Sequence, residues 1–78
     1  LNASPVYPRV VVEKALNYNA GAVILAHNHP SGVAEASLAD KQITQQLQQA
    51  LALIDVNVLD HMIIAGHQCY SFAEHGMM

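Results

Sequence analysis

The sequence of 78 residues has no tryptophan and a single cysteine, Cys69. One cysteine cannot form an internal disulfide, and it excludes a zinc site built from several thiolates. Long apolar runs are also missing: the stretches 21–26 and 50–54 are far shorter than the roughly 20 residues that a membrane-spanning helix needs. No signal-peptide pattern is present. We therefore expect a cytoplasmic protein.

Positive charge is scarce. The only basic side chains are Arg9, Lys14 and Lys41, and the net charge is −3. Binding to nucleic acid depends on clustered Lys and Arg side chains that neutralise phosphates. This segment therefore offers no electrostatic footprint for DNA or RNA.

What is present is an apolar composition of 53% with 12% charged residues and no low-complexity tract, typical of one globular domain over residues 1–78. The pattern predicts five elements in the order helix, strand, helix, strand, strand. They are a loop over 1–8 leading into a helix over 9–19, a strand over 22–26, a helix over 37–54, a strand over 57–65 and a strand over 69–72.

Local signals support this α/β assignment. Pro8 suits the first turn of the first helix, and Gly21 is its expected stop. The run 22–26 is wholly apolar, as in a strand covered on both faces. A helix between the first two strands favours parallel pairing through a crossover. The apolar side of the second helix is predicted to comprise Ile43, Leu47, Ala50, Leu51 and Ile54. Residues 66–68 are a predicted turn, and Ser71 is a candidate cap for a last helical turn.

The chemistry-bearing residues follow the first strand. His27 and His29 are two apart, so in extended chain their imidazoles project from one face. Asp40 lies in the first turn of the second helix. Two imidazoles and one carboxylate form a three-ligand set, which leaves one tetrahedral zinc position open, as in catalytic zinc sites.

Simpler explanations exist for the same residues. An isolated His-x-His also occurs as ordinary surface or core histidines. Ser37 and Asp40 have the spacing of a capping box, with Ser37 as the N-cap. Spacing alone leaves both interpretations open.

A longer match adds to the motif. The string HNHPSGVAEASLAD fits the JAMM pattern of His-x-His, seven residues, Ser, two residues and Asp. With PVYPRVVVEKAL, AGAVILAHNHPSG and VNVLDHMIIAGHQCYSFAEHG, the chain resembles the RadC family along nearly its whole length. The resemblance implies a JAMM (MPN-type, cytidine-deaminase-like) α+β sandwich. It also implies Zn²⁺ held by His27, His29 and Asp40, and amide or isopeptide hydrolysis.

The resemblance also implies a catalytic role for Ser37, whose hydroxyl would stabilise the oxyanion. Helix capping competes with that role, and both stay open. JAMM hydrolases use a glutamate on an upstream strand as general base. Only 26 residues precede His27, and their sole acid, Glu13, falls in a helix. Glu35 and Glu74 match no motif position.

Two explanations fit the missing glutamate: the chain is a fragment without its N-terminal strands, which we favour, or it is a truncated relative that lost the reaction. In either case we expect the isolated chain to be a weak or inactive hydrolase. A fragment also leaves strand edges to cover, so we expect a homo-oligomer.

Asp60 and His61 are adjacent in the fourth element and point to opposite sides of a strand, so at most one faces the metal. Asp60 is the candidate for accepting a hydrogen bond from a ligand imidazole. His67 and His75 are expected to be exposed.

Three functions compete: a zinc metallohydrolase, a non-catalytic interaction module, and a DNA-repair-associated protein with DNA contacts elsewhere. A zinc deaminase is excluded, because it needs a Pro-Cys-x-x-Cys signature.

Overall fold

The computed structural model describes residues 7–78, so most of the loop expected over residues 1–8 lies outside the described part. The chain forms a small α+β domain of two helices and a three-stranded mixed sheet. The elements are α1 (Pro8–Asn17), β1 (Ala22–Asn28), α2 (Leu38–Ala52), β2 (Asn57–Ala65) and β3 (Gln68–Ser71). The predicted order and types are confirmed; the bounds of β2 are as predicted, and no other boundary moves by more than two residues.

Helix α1 ends earlier than predicted, and for a different reason. Asn19 takes a positive φ of +52°. Its N–H donates to the Leu16 carbonyl at 3.1 Å, and the Ala20 N–H donates to the Ala15 carbonyl at 2.9 Å. These two bonds form a Schellman motif. The stop is therefore Asn19 and not Gly21, because a short polar side chain tolerates the left-handed conformation.

Helix α2 ends in the same way, two residues short of the predicted Ile54. Asp55 has a φ of +59°. Its N–H donates to the Ala52 carbonyl at 3.1 Å, while the Val56 N–H donates to the Leu51 carbonyl at 2.9 Å. This second Schellman motif turns the chain sharply into β2, with Val56 buried at the point of entry.

The sheet has the order β1-β2-β3. Strands β1 and β2 pair in parallel through α2, and β2 pairs antiparallel with β3. The parallel crossover predicted from the sequence is confirmed. Gly66, with a φ of +59°, provides the left-handed residue in the turn between β2 and β3.

The main core cluster lies between the helices and one face of the sheet. It is formed by Ala15, Leu51 and Val56, with Val23 and Val58 packed against it. Burial alternates along β1.

The opposite face of the sheet is open among the described residues, because Ile24, on β1, is 59% exposed. The expectation that β1 is covered on both faces is therefore wrong for this chain. Within residues 7–78, neither helix is long and apolar enough to cross a membrane.

Candidate metal centre

Three side chains meet where β1 ends and α2 begins. His27 Nε2 lies 3.1 Å from Asp40 Oδ1, and His29 Nε2 lies 3.0 Å from Asp40 Oδ2. One ligand atom from each residue lies within 4.8 Å of the other two. Within the described residues, this is the group of His, Cys, Asp or Glu side chains that could hold a metal ion. The grouping of His27, His29 and Asp40 predicted from spacing is present in space.

The N-terminus of α2 fixes the position of Asp40. The Asp40 N–H donates to Ser37 Oγ at 3.1 Å, and the Ser37 N–H donates to Asp40 Oδ2 at 2.9 Å. This is the capping box anticipated from the sequence. Capping and metal binding do not exclude each other here, because the carboxylate that closes the box also faces both imidazoles.

The local environment favours the ionised form of Asp40. Burial by itself would raise the pKa of this carboxyl, but hydrogen bonds from Ser37 and the nearby His27 and His29 outweigh it. The pKa of Asp40 is therefore held below its ordinary value. An anionic ligand is thus present at neutral pH.

The loop after β1 fixes the tautomer of His29. Its Nδ1 lies 3.1 Å from the carbonyl oxygen of Val33. A carbonyl oxygen only accepts, so Nδ1 carries the hydrogen and donates it. In the neutral imidazole, Nε2 then presents its lone pair to Asp40. Gly32, with a φ of +81°, and the Val33 N–H bond to Ser31 Oγ at 3.3 Å shape this loop.

This donor set fits a metal ion. A neutral His29 lone pair and an ionised carboxylate oxygen 3.0 Å apart repel each other unless a cation or a proton lies between them. Two imidazole nitrogens and one carboxylate oxygen are ligands that Zn²⁺ accepts, with a fourth position left for water or substrate.

Asp60 does not have the role expected of it. Its carboxylate accepts hydrogen bonds from the His61 N–H at 2.7 Å, the Ser71 hydroxyl at 2.6 Å and the Ala73 N–H at 3.1 Å. Among the described residues it makes no hydrogen bond to His27. Instead it ties β2 to the segment after β3, and these bonds outweigh burial and hold its pKa below the ordinary value.

His61 occupies the position that was expected for Asp60. Its Nε2 lies 2.8 Å from His27 Nδ1, and its Nδ1 is hydrogen-bonded to Thr44 Oγ1. The imidazole is 3% exposed and stacks on Phe72 with ring centroids 4.7 Å apart. Burial lowers the pKa of His61, with a further contribution from His27, so the neutral form is favoured.

A bulge explains why His61 faces inward. Val23 pairs with Val58, but Ile24 pairs with Asp60, so the register skips Leu59. One extra residue reverses which side chains of β2 face the helices. Before the bulge Val58 packs against the core cluster, and after it His61 is the buried residue, bonded to Thr44 of α2.

Thr44 is the site residue that the sequence analysis missed. It is 2% exposed, although the pattern of apolar residues assigned the buried side of α2 to others. The available signal was helical spacing, since the buried residues of α2 are Asp40, Thr44, Leu47 and Leu51. Two polar residues on that side indicate a buried polar site at the start of the helix.

The remaining candidates are not members of the three-residue group. Glu13, Glu35 and Glu74 are exposed, and none belongs to the metal-binding group found among the described residues. His67 and His75 are exposed as expected. Ser71 accepts a hydrogen bond from the Glu74 N–H at 3.2 Å, so it caps a turn, but no helix follows.

Comparisons with known proteins agree with this geometry. The chain matches the sequence model of the RadC-like JAB domain over residues 1–77. It is 63% identical over 78 residues to UPF0758 protein PSHAa2643 of Pseudoalteromonas translucida (strain TAC 125), covering 100% of this chain and 35% of that protein. It is 58% identical over 78 residues to UPF0758 protein YkfG of Escherichia coli (strain K12), covering 100% of this chain and 49% of that protein.

The chain thus spans 35% to 49% of the length of these two curated relatives. Because the family match runs through both helices, all three strands and the His27, His29 and Asp40 cluster, the chain belongs to the RadC-like JAB domain family.

Proposed function

We propose that this domain is a zinc-dependent, hydrolase-type domain that acts on amide or isopeptide bonds. The observation that carries the proposal is the convergence of two imidazole Nε2 atoms on one ionised carboxylate. The Nδ1 atom of His29 is already occupied by a carbonyl, so Nε2 is the nitrogen left to bind a metal. A nearly buried carboxylate of lowered pKa between two partly exposed imidazoles is the kind of cluster that marks a candidate functional site.

Zinc is the proposed ion because the ligand set has three members and mixes imidazole with carboxylate, as catalytic zinc sites do. A bound Zn²⁺ acts as a Lewis acid and lowers the pKa of a coordinated water toward about 7. His27, His29 and Asp40 would hold the ion. We also propose that the α+β domain has the cytidine-deaminase-like fold of JAMM (MPN-type) domains.

The role proposed for Ser37 goes beyond helix capping. Ser37 lies three residues before Asp40 and is exposed, so its hydroxyl is accessible to a substrate at the metal. A hydroxyl donor directed at the oxygen on which charge develops would stabilise the transition state of amide hydrolysis. Ser37 Oγ would serve as an acceptor for the helix and as a donor to the substrate.

The general base is proposed to lie elsewhere in a longer protein. Glu13 and Glu35 are exposed and outside the metal-binding group of the described residues. The relatives are about two to three times as long as this chain. We therefore expect the 78-residue chain to bind zinc but to hydrolyse amides weakly or not at all, and the complete protein to be the active form.

The first experiment measures zinc per chain after reconstitution, in the wild type and in His29→Ala. His67→Ala is the matched control, because this histidine is exposed in the β2–β3 turn and outside the site. We expect about one zinc ion for the wild type and the control, from the three-ligand stoichiometry, and little for His29→Ala. Absence of zinc from the wild type would contradict the proposal.

The second experiment concerns the reaction. The complete protein, loaded with zinc, is incubated with peptides and isopeptide-linked conjugates, with and without a chelator. Cleavage that the chelator abolishes and zinc restores supports a metallohydrolase. Zinc binding without cleavage would instead favour an interaction module.

One observation favours that second candidate. The open face of the sheet carries exposed apolar side chains, including Ile24 at 59% and Ile64 at 40%. Because these two side chains share one face of the sheet, we take that face as the candidate contact surface for another protein segment. A DNA-repair-associated role would require DNA contacts outside this segment.

A further inference from the structure

A chain of hydrogen bonds lies behind His27, on the side away from Asp40 Oδ1. His27 Nδ1 is 2.8 Å from His61 Nε2, and His61 Nδ1 is bonded to Thr44 Oγ1. Thr44 Oγ1 donates to the Asp40 carbonyl oxygen at 2.6 Å. This series of hydrogen bonds thus begins at the proposed ligand His27 and ends at the backbone carbonyl of the proposed ligand Asp40.

The hydrogens in this chain can be assigned from chemistry. A carbonyl oxygen has no hydrogen, so the bond between Thr44 and the Asp40 carbonyl uses the single hydroxyl hydrogen of Thr44. Thr44 then has only lone pairs left for His61. His61 Nδ1 must therefore be the donor to Thr44.

The same argument extends to the next bond. His61 is 3% exposed and packed against Phe72, an environment that disfavours a charged imidazolium. A neutral His61 with its hydrogen on Nδ1 presents a lone pair at Nε2. His27 Nδ1, which is 2.8 Å away, must then be the donor. A neutral His27 is left with its lone pair on Nε2, the atom that faces Asp40 Oδ1 at 3.1 Å.

We propose that Thr44 and His61 are positioning residues that set the tautomer of His27, so that Nε2 is available to bind the metal. This inference rests on the proposed metal site. It assigns to two residues outside the ligand set a role that helix capping and core packing do not require.

Thr44 sets which atom donates and which accepts in each of these hydrogen bonds. Replacement by valine keeps the branched shape but removes the hydroxyl, so His61 Nδ1–H loses its acceptor. His61 then gains by moving its hydrogen to Nε2, which donates to His27 Nδ1. That bond forces the hydrogen of His27 onto Nε2, where it blocks metal binding.

We expect Thr44 and His61 to have a large effect on the affinity for zinc, although neither is a proposed ligand. Loss of a hydrogen-bond partner of a metal-ligating histidine typically lowers metal affinity by about 10- to 100-fold. We expect a decrease of that size for Thr44→Val. Thr44→Ser keeps the hydroxyl and should retain an affinity close to that of the wild type.

The test combines two measurements on the 78-residue protein. Zinc affinity is measured by competition with a chromophoric chelator, and the tautomers of His27 and His61 are read from nitrogen-15 correlation spectra of the imidazole rings in the metal-free chain. Val56→Ala is the control, because Val56 is buried in the core cluster with Ala15 and Leu51 and takes no part in the hydrogen bonds between His27, His61 and Thr44. It should lower stability without changing either tautomer or the zinc affinity of the folded chain.

The expected result is His61 in the Nδ1–H form in the wild type and in Thr44→Ser, and in the Nε2–H form in Thr44→Val, with zinc affinity changing in parallel. A wild-type spectrum with His61 in the Nε2–H form would overturn the inference, and this measurement does not depend on how the variants fold. Unchanged zinc affinity and tautomers in Thr44→Val would also overturn it.

Failure of the proposed function gives a different result. If the wild-type chain bound no zinc, the metal site would be wrong, and with it the proposed effect of Thr44 on affinity. The spectra would still decide whether the hydrogen-bond chain sets the tautomer of His27.

Discussion

Ser37 allows the two roles assigned to it to be separated by substitution. Replacement by alanine removes the oxygen that accepts the Asp40 N–H at 3.1 Å, which is the N-cap bond of α2. Loss of such a cap costs about 1 kcal/mol. In a domain of this size, about 1 kcal/mol lowers the midpoint of thermal unfolding by roughly 4–8 °C. Ser37→Asn should keep most of this stability, because asparagine caps helices about as well as serine.

Activity should respond differently. Neither alanine nor asparagine supplies the hydroxyl at this position, so both variants of the complete protein should lose roughly 100- to 1000-fold in kcat if Ser37 stabilises the oxyanion. Zinc content is measured in parallel, so that loss of metal is not mistaken for loss of the donor. His67→Ala, which removes an exposed polar side chain outside the site, is the control.

Two outcomes would refute this reasoning separately. If Ser37→Ala unfolded at the same temperature as the wild type, the capping bond would contribute nothing. If Ser37→Asn kept full activity, the hydroxyl would have no role in the reaction.

Three further predictions concern the fold. Asp60→Asn should destabilise the chain by about 1 kcal/mol at neutral pH, because the carboxylate accepts charge-assisted hydrogen bonds. These bonds outweigh burial and depress the pKa of Asp60 in the folded chain, so their stabilisation is present above the ordinary aspartate pKa of about 3.9 and is lost as the pH falls through the folded pKa. In urea unfolding from pH 7 to about 3, the free energies of unfolding of the wild type and Asp60→Asn should therefore converge. A difference between them that stays constant with pH would contradict this. Phe72→Ala should lower the free energy of unfolding by about 3–5 kcal/mol, because the ring is 1% exposed and packs on His61. A much smaller decrease, measured by urea unfolding, would contradict this packing. Self-association stays a prediction that sedimentation can check, and a monomeric mass at micromolar concentration would count against it.

The sequence by itself determined the local features. The spacing of Ser37 and Asp40 predicted the capping box, because its bonds span three residues of one helix turn. The strand leading into His27 and the helix containing Asp40 were also predictable, since a hydrophobic pattern and a cap are local properties. The ends of both helices were less predictable, because a non-glycine residue, Asn19 or Asp55, takes the left-handed position.

The tertiary structure decided which residue of β2 is hydrogen-bonded to the imidazole of His27. Alternation along β2 could not distinguish Asp60 from His61, because the face that each presents depends on a bulge in the pairing with β1. A bulge depends on how two strands distant in sequence align, so no local pattern encodes it. Thr44 was missed for a related reason: a threonine among glutamines has the pattern of a solvated surface until a histidine 17 residues away is placed against it.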